Sequence, residues 1–287
     1  KRNLTKEVKV AQFSGYVSEH SAYHHGEMSL QKAIVGLAQE YVGSNNIALF
    51  QPNGQFGTRM MGGKDSASER YIFTHLSPIT RSIFRPEDDA ILNHLDDDGT
   101  KIEPDFYLPI IPLILVNGGE GIGTGFSTKI ISYNPTQIIS YLMAMLTNKP
   151  LPELKPYYEN FKGEVKKADD FQWIFRGNYA ILDKNTIQIT ELPIGVWTQD
   201  FKEHLEKLME GSKKKIPIVK NYSDHSTDTT VDFTIHMTDG TIDKLLSKGT
   251  FEKTLKLITS KRTSNQYLFN HHQCIKKYLD YKDIING

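Results

Sequence analysis

Apolar positions recur at helical spacing in one early segment and at strand spacing later. In residues 28–42, Leu30, Ile34, Leu37 and Tyr41 make one apolar stripe, with Gln31, Lys32, Gln39 and Glu40 expected outward and Gly43 as the stop. Residues 47–50 and 71–73 read as short strands, Ser77-Pro78 as the opening of a short helix, and residues 88–95 as another helix. Residues 107–116 are apolar enough for a strand. Asn134-Pro135 starts a helix that points Ile138, Leu142, Met145 and Leu146 to one side. Beyond residue 160 alternation dominates: residues 173–175, 179–182, 186–190 and 231–237 read as strands, and Asp183-Lys184-Asn185 as a hairpin turn. Helices are expected near Thr198, with Phe201, Leu205 and Leu208 inward, from Ile242 to Leu246, and at the C-terminal end. Val8, Val10, Phe13 and Val17 are expected core contacts of a polar, basic start.

Charge changes this picture in one respect. The net charge is zero, yet residues 1–86 hold ten Lys/Arg against six Asp/Glu, and residues 87–106 hold eight acids against one Lys. A basic front followed by an acidic patch fits a surface that grips an anion on one side. Asp96-Asp97-Asp98-Gly99 and Lys213-Lys214-Lys215 read as solvated loops. One cysteine, Cys274, excludes an internal disulfide and fits a reducing compartment. No apolar run is long enough for a bilayer, so no membrane partner is expected. The length suits two domains, and the missing initiator Met suggests a piece of something longer.

The chemistry concentrates in the 55–73 stretch. Gly57, Gly62 and Gly63 punctuate a loop with three cations, Arg59, Lys64 and Arg70, and Arg70 directly precedes Tyr71. Cations, a hydroxyl and an approachable backbone suit a phosphodiester. Strand, cationic loop and strand would form the wing of a winged helix, and the 28–42 helix its DNA-facing partner. His24-His25 is the other candidate. Neighbouring side chains diverge on a helix or a strand, and no Cys/His set at zinc spacing accompanies them, so a phosphate contact or proton shuttle is preferred to a metal site. In the 117–127 stretch, neither a dinucleotide fingerprint nor a P-loop fits. Ile122 on a glycine stalk suits a wedge between DNA base steps, or else packs into a core beneath a tight loop.

Lys9-Val10-Ala11-Gln12, Tyr23-His24-His25-Gly26-Glu27, Val42-Gly43-Ser44-Asn45-Asn46, the 55–71 loop, Glu120-Gly121-Ile122-Gly123-Thr124-Gly125, Ile189-Thr190-Glu191-Leu192-Pro193 and Trp197-Thr198 together resemble the DNA-breakage core of eukaryotic type IIA DNA topoisomerases. The resemblance implies an α+β multidomain chain: a winged-helix domain over residues 1–115 and an α/β tower domain over 116–287. It makes Tyr71 the nucleophile of a 5′-phosphotyrosyl bond, Arg70 and His25 its phosphate-holding partners, His24 and Lys64 DNA contacts, and Ile122 an intercalating wedge; the basic excess of residues 1–86 adds Arg59 as an expected DNA contact. It further implies double-stranded DNA as partner, a homodimer, a nuclear (or viral) setting, and Mg²⁺ and ATP for the full-length enzyme, with no metal ligand and no cofactor on this chain. Gly119 and Phe126 stand where the family usually has Ala and Trp. The metal-binding acidic domain and the ATPase would precede Lys1, and an exit-gate coiled coil would follow Gly287. A non-catalytic winged-helix module and a nucleotide-binding enzyme built on residues 118–125 are the competing classes.

Overall fold

Val10, Ile34, Val35 and Ala38 close the first core by facing each other from two helices, Val10–His20 and Glu27–Ala38, with Phe56 and Ile72 packed between them. Burying such side chains is worth about 1.5–3 kcal/mol each. The computed structural model describes residues 4–210 and 216–287; the Lys213-Lys214-Lys215 run lies outside them. Strand Val8–Lys9 pairs antiparallel with Phe73–Thr74, tying the start of the chain to the far end of the cationic loop.

The second helix is shorter than its apolar stripe. It ends at Ala38, with Gln39 extended, because the Asn45 side chain donates to the carbonyls of Gly36 and Gln39. Tyr41 therefore lies beyond the helix, and Leu37 is exposed. Gln31, expected outward, is buried and donates to Ser14 and Glu27. The expected strand at residues 47–50 is reduced to one bridge, Phe50 to Leu76. Residues 88–95 do not form an α-helix: a 3-10 helix, Pro86–Ile91, leads into a hairpin of His94–Asp97 with Thr100–Pro104. Asp98 and Gly99 both take positive φ there, the Asp-Gly signature of a tight hairpin turn. Pro112 starts a short helix, Leu113–Asn117, where a strand was expected.

Leu115 and Val116 share that helix and a second core, which gathers Ile130, Tyr133, Ile138 and Tyr141 with Tyr281 and Ile284 from the C-terminal helix Tyr281–Asn286. Asn134 caps the helix Pro135–Leu146 by accepting from Thr136 and Gln137. The largest core lies under a four-stranded antiparallel sheet, in spatial order Val219–Asp224, Phe233–Met237, Thr186–Glu191, Asn178–Ile181. Helix Thr198–Met209 covers it with Phe201 and Leu205. A three-stranded sheet, Ile258–Arg262, Gln172–Arg176, Glu164–Asp169, joins this region to Ile131 and Tyr158 through Trp173 and Phe175. The fold is thus mixed α+β with antiparallel pairing in all the described sheets. No helix among the described residues is long and apolar enough to cross a membrane.

Candidate active site

Tyr71 sits on a segment anchored from both sides. Ile72 is buried, and its carbonyl accepts from Val10 N–H at 3.1 Å, while the Glu69 carbonyl accepts from Ala11 at 3.1 Å. The first turn of helix Val10–His20 thus spends two otherwise orphaned donors on holding this segment. Phe73 exchanges backbone hydrogen bonds with Asn53 at 2.9 and 3.1 Å. Because Ile72 points inward, Tyr71 points out and is 65% exposed. The Arg70 guanidinium lies 4.9 Å from the centre of its ring. The phenol and the cation are therefore adjacent and open to solvent.

His24 and His25 stand on the turn between the first two helices, both exposed, with ring centres 4.5 Å apart. His24 Nδ1 is 3.0 Å from the Ala22 carbonyl, and the Ala22 N–H is held by Glu103 at 3.1 Å. Gly26 follows as the N-cap of helix Glu27–Ala38 and offers no side-chain cap. The positive end of that helix therefore opens beside the two imidazoles, a setting that favours an anion. Among the described residues, no hydrogen bond or ring contact joins either histidine to Tyr71 or Arg70.

The glycines of the cationic loop do not open onto a ligand. A Cβ on Gly62 would lie 2.3 Å from Trp197 Nε1, one on Gly57 2.6 Å from the Gly63 backbone, and one on Gly63 2.6 Å from Gln39 Nε2. They let the loop fold against protein instead. Thr58 and Asp65 close it, with a 2.6 Å hydroxyl–carboxylate bond and a 2.9 Å bond from the Thr58 N–H. Lys64 is exposed at its outer edge.

Arg59 departs from expectation. Its guanidinium is buried and pairs with Glu191, itself buried on the strand Thr186–Glu191. Glu191 also accepts from the N–H groups of Lys162 and Leu192. The carbonyls of Arg59 and Met60 accept from Thr198 and Gln199 at the start of the covering helix. Arg59 is consequently an internal tie between the loop and the second half of the chain, not a free cation for DNA. A formal charge read from sequence carries no information about burial, and Glu191 lies 132 residues away.

Ile122 occupies the far end of a two-stranded hairpin, Gly119–Gly123 with Phe126–Ile130, turned by Thr124 and Gly125. It is 91% exposed, which overturns the core-packing alternative. The root of the hairpin is held: Lys129 N–H donates to the Asn265 carbonyl at 2.8 Å, and the Asn265 amide donates to Ser127. Phe126 packs edge-on against Tyr267. An apolar side chain is thus presented to solvent on a fastened stalk.

Two asparagines given no role by the sequence prove structural. Asn46 donates to the carbonyls of Val116, Tyr133 and Tyr157 and accepts from Glu159, while Asn117 exchanges two bonds with the Ile47 backbone. These amides stitch the first helical unit to the second core. For Asn46 the Asn-Asn pair after a helix was the available signal, since Asn45 caps and the next residue is free to bridge.

Comparison with known proteins extends these findings over the whole chain. The family model for the A subunit of DNA gyrase/topoisomerase IV matches residues 1–287. The chain is 50% identical over 287 residues to DNA topoisomerase 2 of Drosophila melanogaster, covering 99% of this chain and 20% of that protein. It is 49% identical to DNA topoisomerase 2-alpha of Cricetulus griseus, covering 99% of this chain and 19% of that one. Among solved structures, the Plasmodium falciparum topoisomerase II DNA-binding, cleavage and re-ligation domain matches with a TM-score of 0.95 and 45% identity, over 99% of this chain and 39% of that chain. This chain therefore spans about a fifth of the length of the curated relatives it matches.

Proposed function

The chain belongs to the DNA gyrase/topoisomerase IV A-subunit family, and from that premise we propose that it is the DNA-gate part of an ATP-dependent type II DNA topoisomerase. In this reading it takes double-stranded DNA as partner and works within a homodimeric, nuclear parent enzyme. The observation that carries the reading is the exposed Tyr71 with the Arg70 guanidinium 4.9 Å from its ring, on a segment bolted to the first turn of a helix.

The chemistry is reversible transesterification. The Tyr71 phenolic oxygen gives up its proton to solvent and bonds to a backbone phosphorus, the bond from that phosphorus to the 3′ oxygen breaks, and the departing 3′ oxygen takes up a proton. The products are a 5′-phosphotyrosyl link and a free 3′ hydroxyl, and the reverse step reseals the strand. A phenol is a weak nucleophile without a cationic setting, which Arg70 supplies. Arg70 and His25 would also spread the charge that builds on the phosphate oxygens, a contribution commonly worth about 3–4 kcal/mol per donor. A phosphate seated between them would supply the bridge that the two side chains lack on their own. His24 and Lys64 would contact the DNA backbone nearby. Among the described residues, no group of three or more His, Cys, Asp or Glu is placed to hold a metal ion. The Mg²⁺ ligands of the parent enzyme are assigned, in this reading, to another part of that protein. The hairpin would insert Ile122 between base steps and bend the duplex, spending unstacking energy of roughly a few kcal/mol to bring more DNA onto the protein.

The test is covalent capture. In the parent enzyme with Mg²⁺, end-labelled DNA should appear attached to protein on denaturing gels, at the 5′ end of the break. Tyr71→Phe removes one oxygen and should abolish the adduct while duplex binding persists. Label retained on the Tyr71→Phe protein would place the nucleophile elsewhere and sink the reading.

A further inference from the structure

A cavity of about 580 Å³ opens where the end of helix Glu27–Ala38, the Gly43-Ser44-Asn45 turn and the root of the Ile122 hairpin meet. Its charged lining is Glu120, Lys129 and Lys261. Lys261 comes from the strand Ile258–Arg262 and donates to the Tyr158 hydroxyl at 2.7 Å. Its ammonium lies 4.6 Å from the centre of the Tyr158 ring and 5.9 Å from that of Phe175. A lysine ammonium has three donors, and Tyr158 is the one acceptor it finds among the described residues. Across the cavity Lys129 stands 3.0 Å from Glu120. Lys129 is thus paired with Glu120, whereas no ion pair joins Lys261 to a carboxylate among the described residues. Burial first, and the Lys129 charge second, push Lys261 down to about 8, while Glu120 pulls the other way. The proximity of a second cation costs folding free energy, which an anion between the two would offset.

Position says which anion. Glu120 and Lys129 face each other two residues below the Ile122–Ser127 pair. Two strand residues span about 7 Å. With Ile122 between bases, the backbone flanking the insertion would lie within reach of the cations at the hairpin's root. We propose that this cavity is a phosphate-binding pocket that takes a backbone phosphate of the bent duplex, with Lys261 and Lys129 as its cations. The assignment rests on the DNA-gate reading above. It adds to the wedge a grip at the wedge's root, so that insertion and phosphate capture stabilise each other.

The experiment measures the affinity of the chain for a short duplex at pH 7 and pH 9 and over a range of salt, for the unaltered protein, Lys261→Met, Lys261→Arg and Lys129→Met. Bound phosphate favours the charged amine, so affinity should fall as pH rises through about 8, by up to about tenfold over this window. Tyr158, which burial pushes up to about 12, does not titrate there. Lys261→Met should bind several-fold more weakly at pH 7, lose that pH dependence and show a salt slope smaller by about one. Lys261→Arg should keep the affinity and lose the pH dependence, because guanidinium stays charged; it also subtracts any other group that titrates in the window. Lys129→Met, on the hairpin surface, should reduce the salt slope by a similar amount without disturbing the core. Unchanged affinity, slope and pH profile in Lys261→Met would overturn the pocket while leaving the DNA-gate reading intact. If inorganic phosphate alone shifted the Lys261 Nζ resonance as the duplex does, and Lys261→Met bound duplex normally, the site would be a free-anion pocket and the DNA assignment would fail. No duplex binding by the unaltered chain would overturn both readings.

Discussion

The loop that carries Tyr71 and the hairpin that carries Ile122 are both rich in glycine, yet their glycines meet opposite surroundings. In the loop, a Cβ on Gly57, Gly62 or Gly63 would lie 2.6, 2.3 or 2.6 Å from other protein atoms. Toward the end of the hairpin, a Cβ on Gly121 would come no closer than 3.6 Å, one on Gly123 3.8 Å, and one on Gly125 would meet nothing within 4 Å. The loop is held by tertiary contacts that reach Trp197, Gln39 and Glu191. Strand pairing and a fastened root hold the hairpin, which leaves its end in solvent. The difference suits the two proposed tasks. A nucleophile must be held in a fixed geometry to react, whereas a wedge must project from the surface and meet its partner as it arrives. Composition cannot distinguish these uses of glycine; the neighbours can.

The largest effect should come from cutting the tie that holds the loop. Arg59→Ala leaves Glu191 buried without its charge partner and should destabilise the chain by about 3–5 kcal/mol in denaturant unfolding. A loss below about 1 kcal/mol, the range of a surface pair, would mean that the loop is not held this way. Gly62→Ala comes next. Its methyl would overlap the Trp197 indole from a backbone at φ +61°, and it should cost about 1–3 kcal/mol. Gly121→Ala in the hairpin should stay within about 0.5 kcal/mol of the unaltered chain. Equal costs for the two glycine substitutions would erase the contrast. Ile122→Ala should have the smallest effect on stability, also within about 0.5 kcal/mol, because the side chain is 91% exposed. It should still reduce DNA bending, read by energy transfer between end labels. Bending left intact by Ile122→Ala would remove the wedge from the proposed function.

Much of the secondary structure was legible. The helix capped by Asn134 and the strands around Thr186–Glu191 follow from a cap, a proline and period-two alternation, which are local signals. The loop carrying Tyr71 and Arg70 was legible as chemistry, since a tyrosine, three cations and several glycines crowd one stretch. Misreadings clustered where a side-chain hydrogen bond overrode the apolar pattern. Helix Glu27–Ala38 stops early because Asn45 reaches back to it, and Gln31 is buried because Ser14 and Glu27 receive its amide. The hairpin at residues 94–104 was hidden by its acidity, although Asp98-Gly99 carried the turn signal.

By itself the sequence determined which side chains could do chemistry and the spacing that sets Arg70 beside Tyr71 and Ile122 among glycines, because these are properties of residue type and order. Tertiary structure alone decided which charges are available. Arg59 and Lys64 are five positions apart in the same loop, yet one is sealed against Glu191 and the other faces solvent. It likewise decided that Ile122 projects rather than packs, and that Lys129 and Lys261, far apart along the chain, share one cavity. The physical reason is common to these cases: burial and charge pairing depend on partners brought together by folding, and the spacing of residues along a chain does not encode their distance in space.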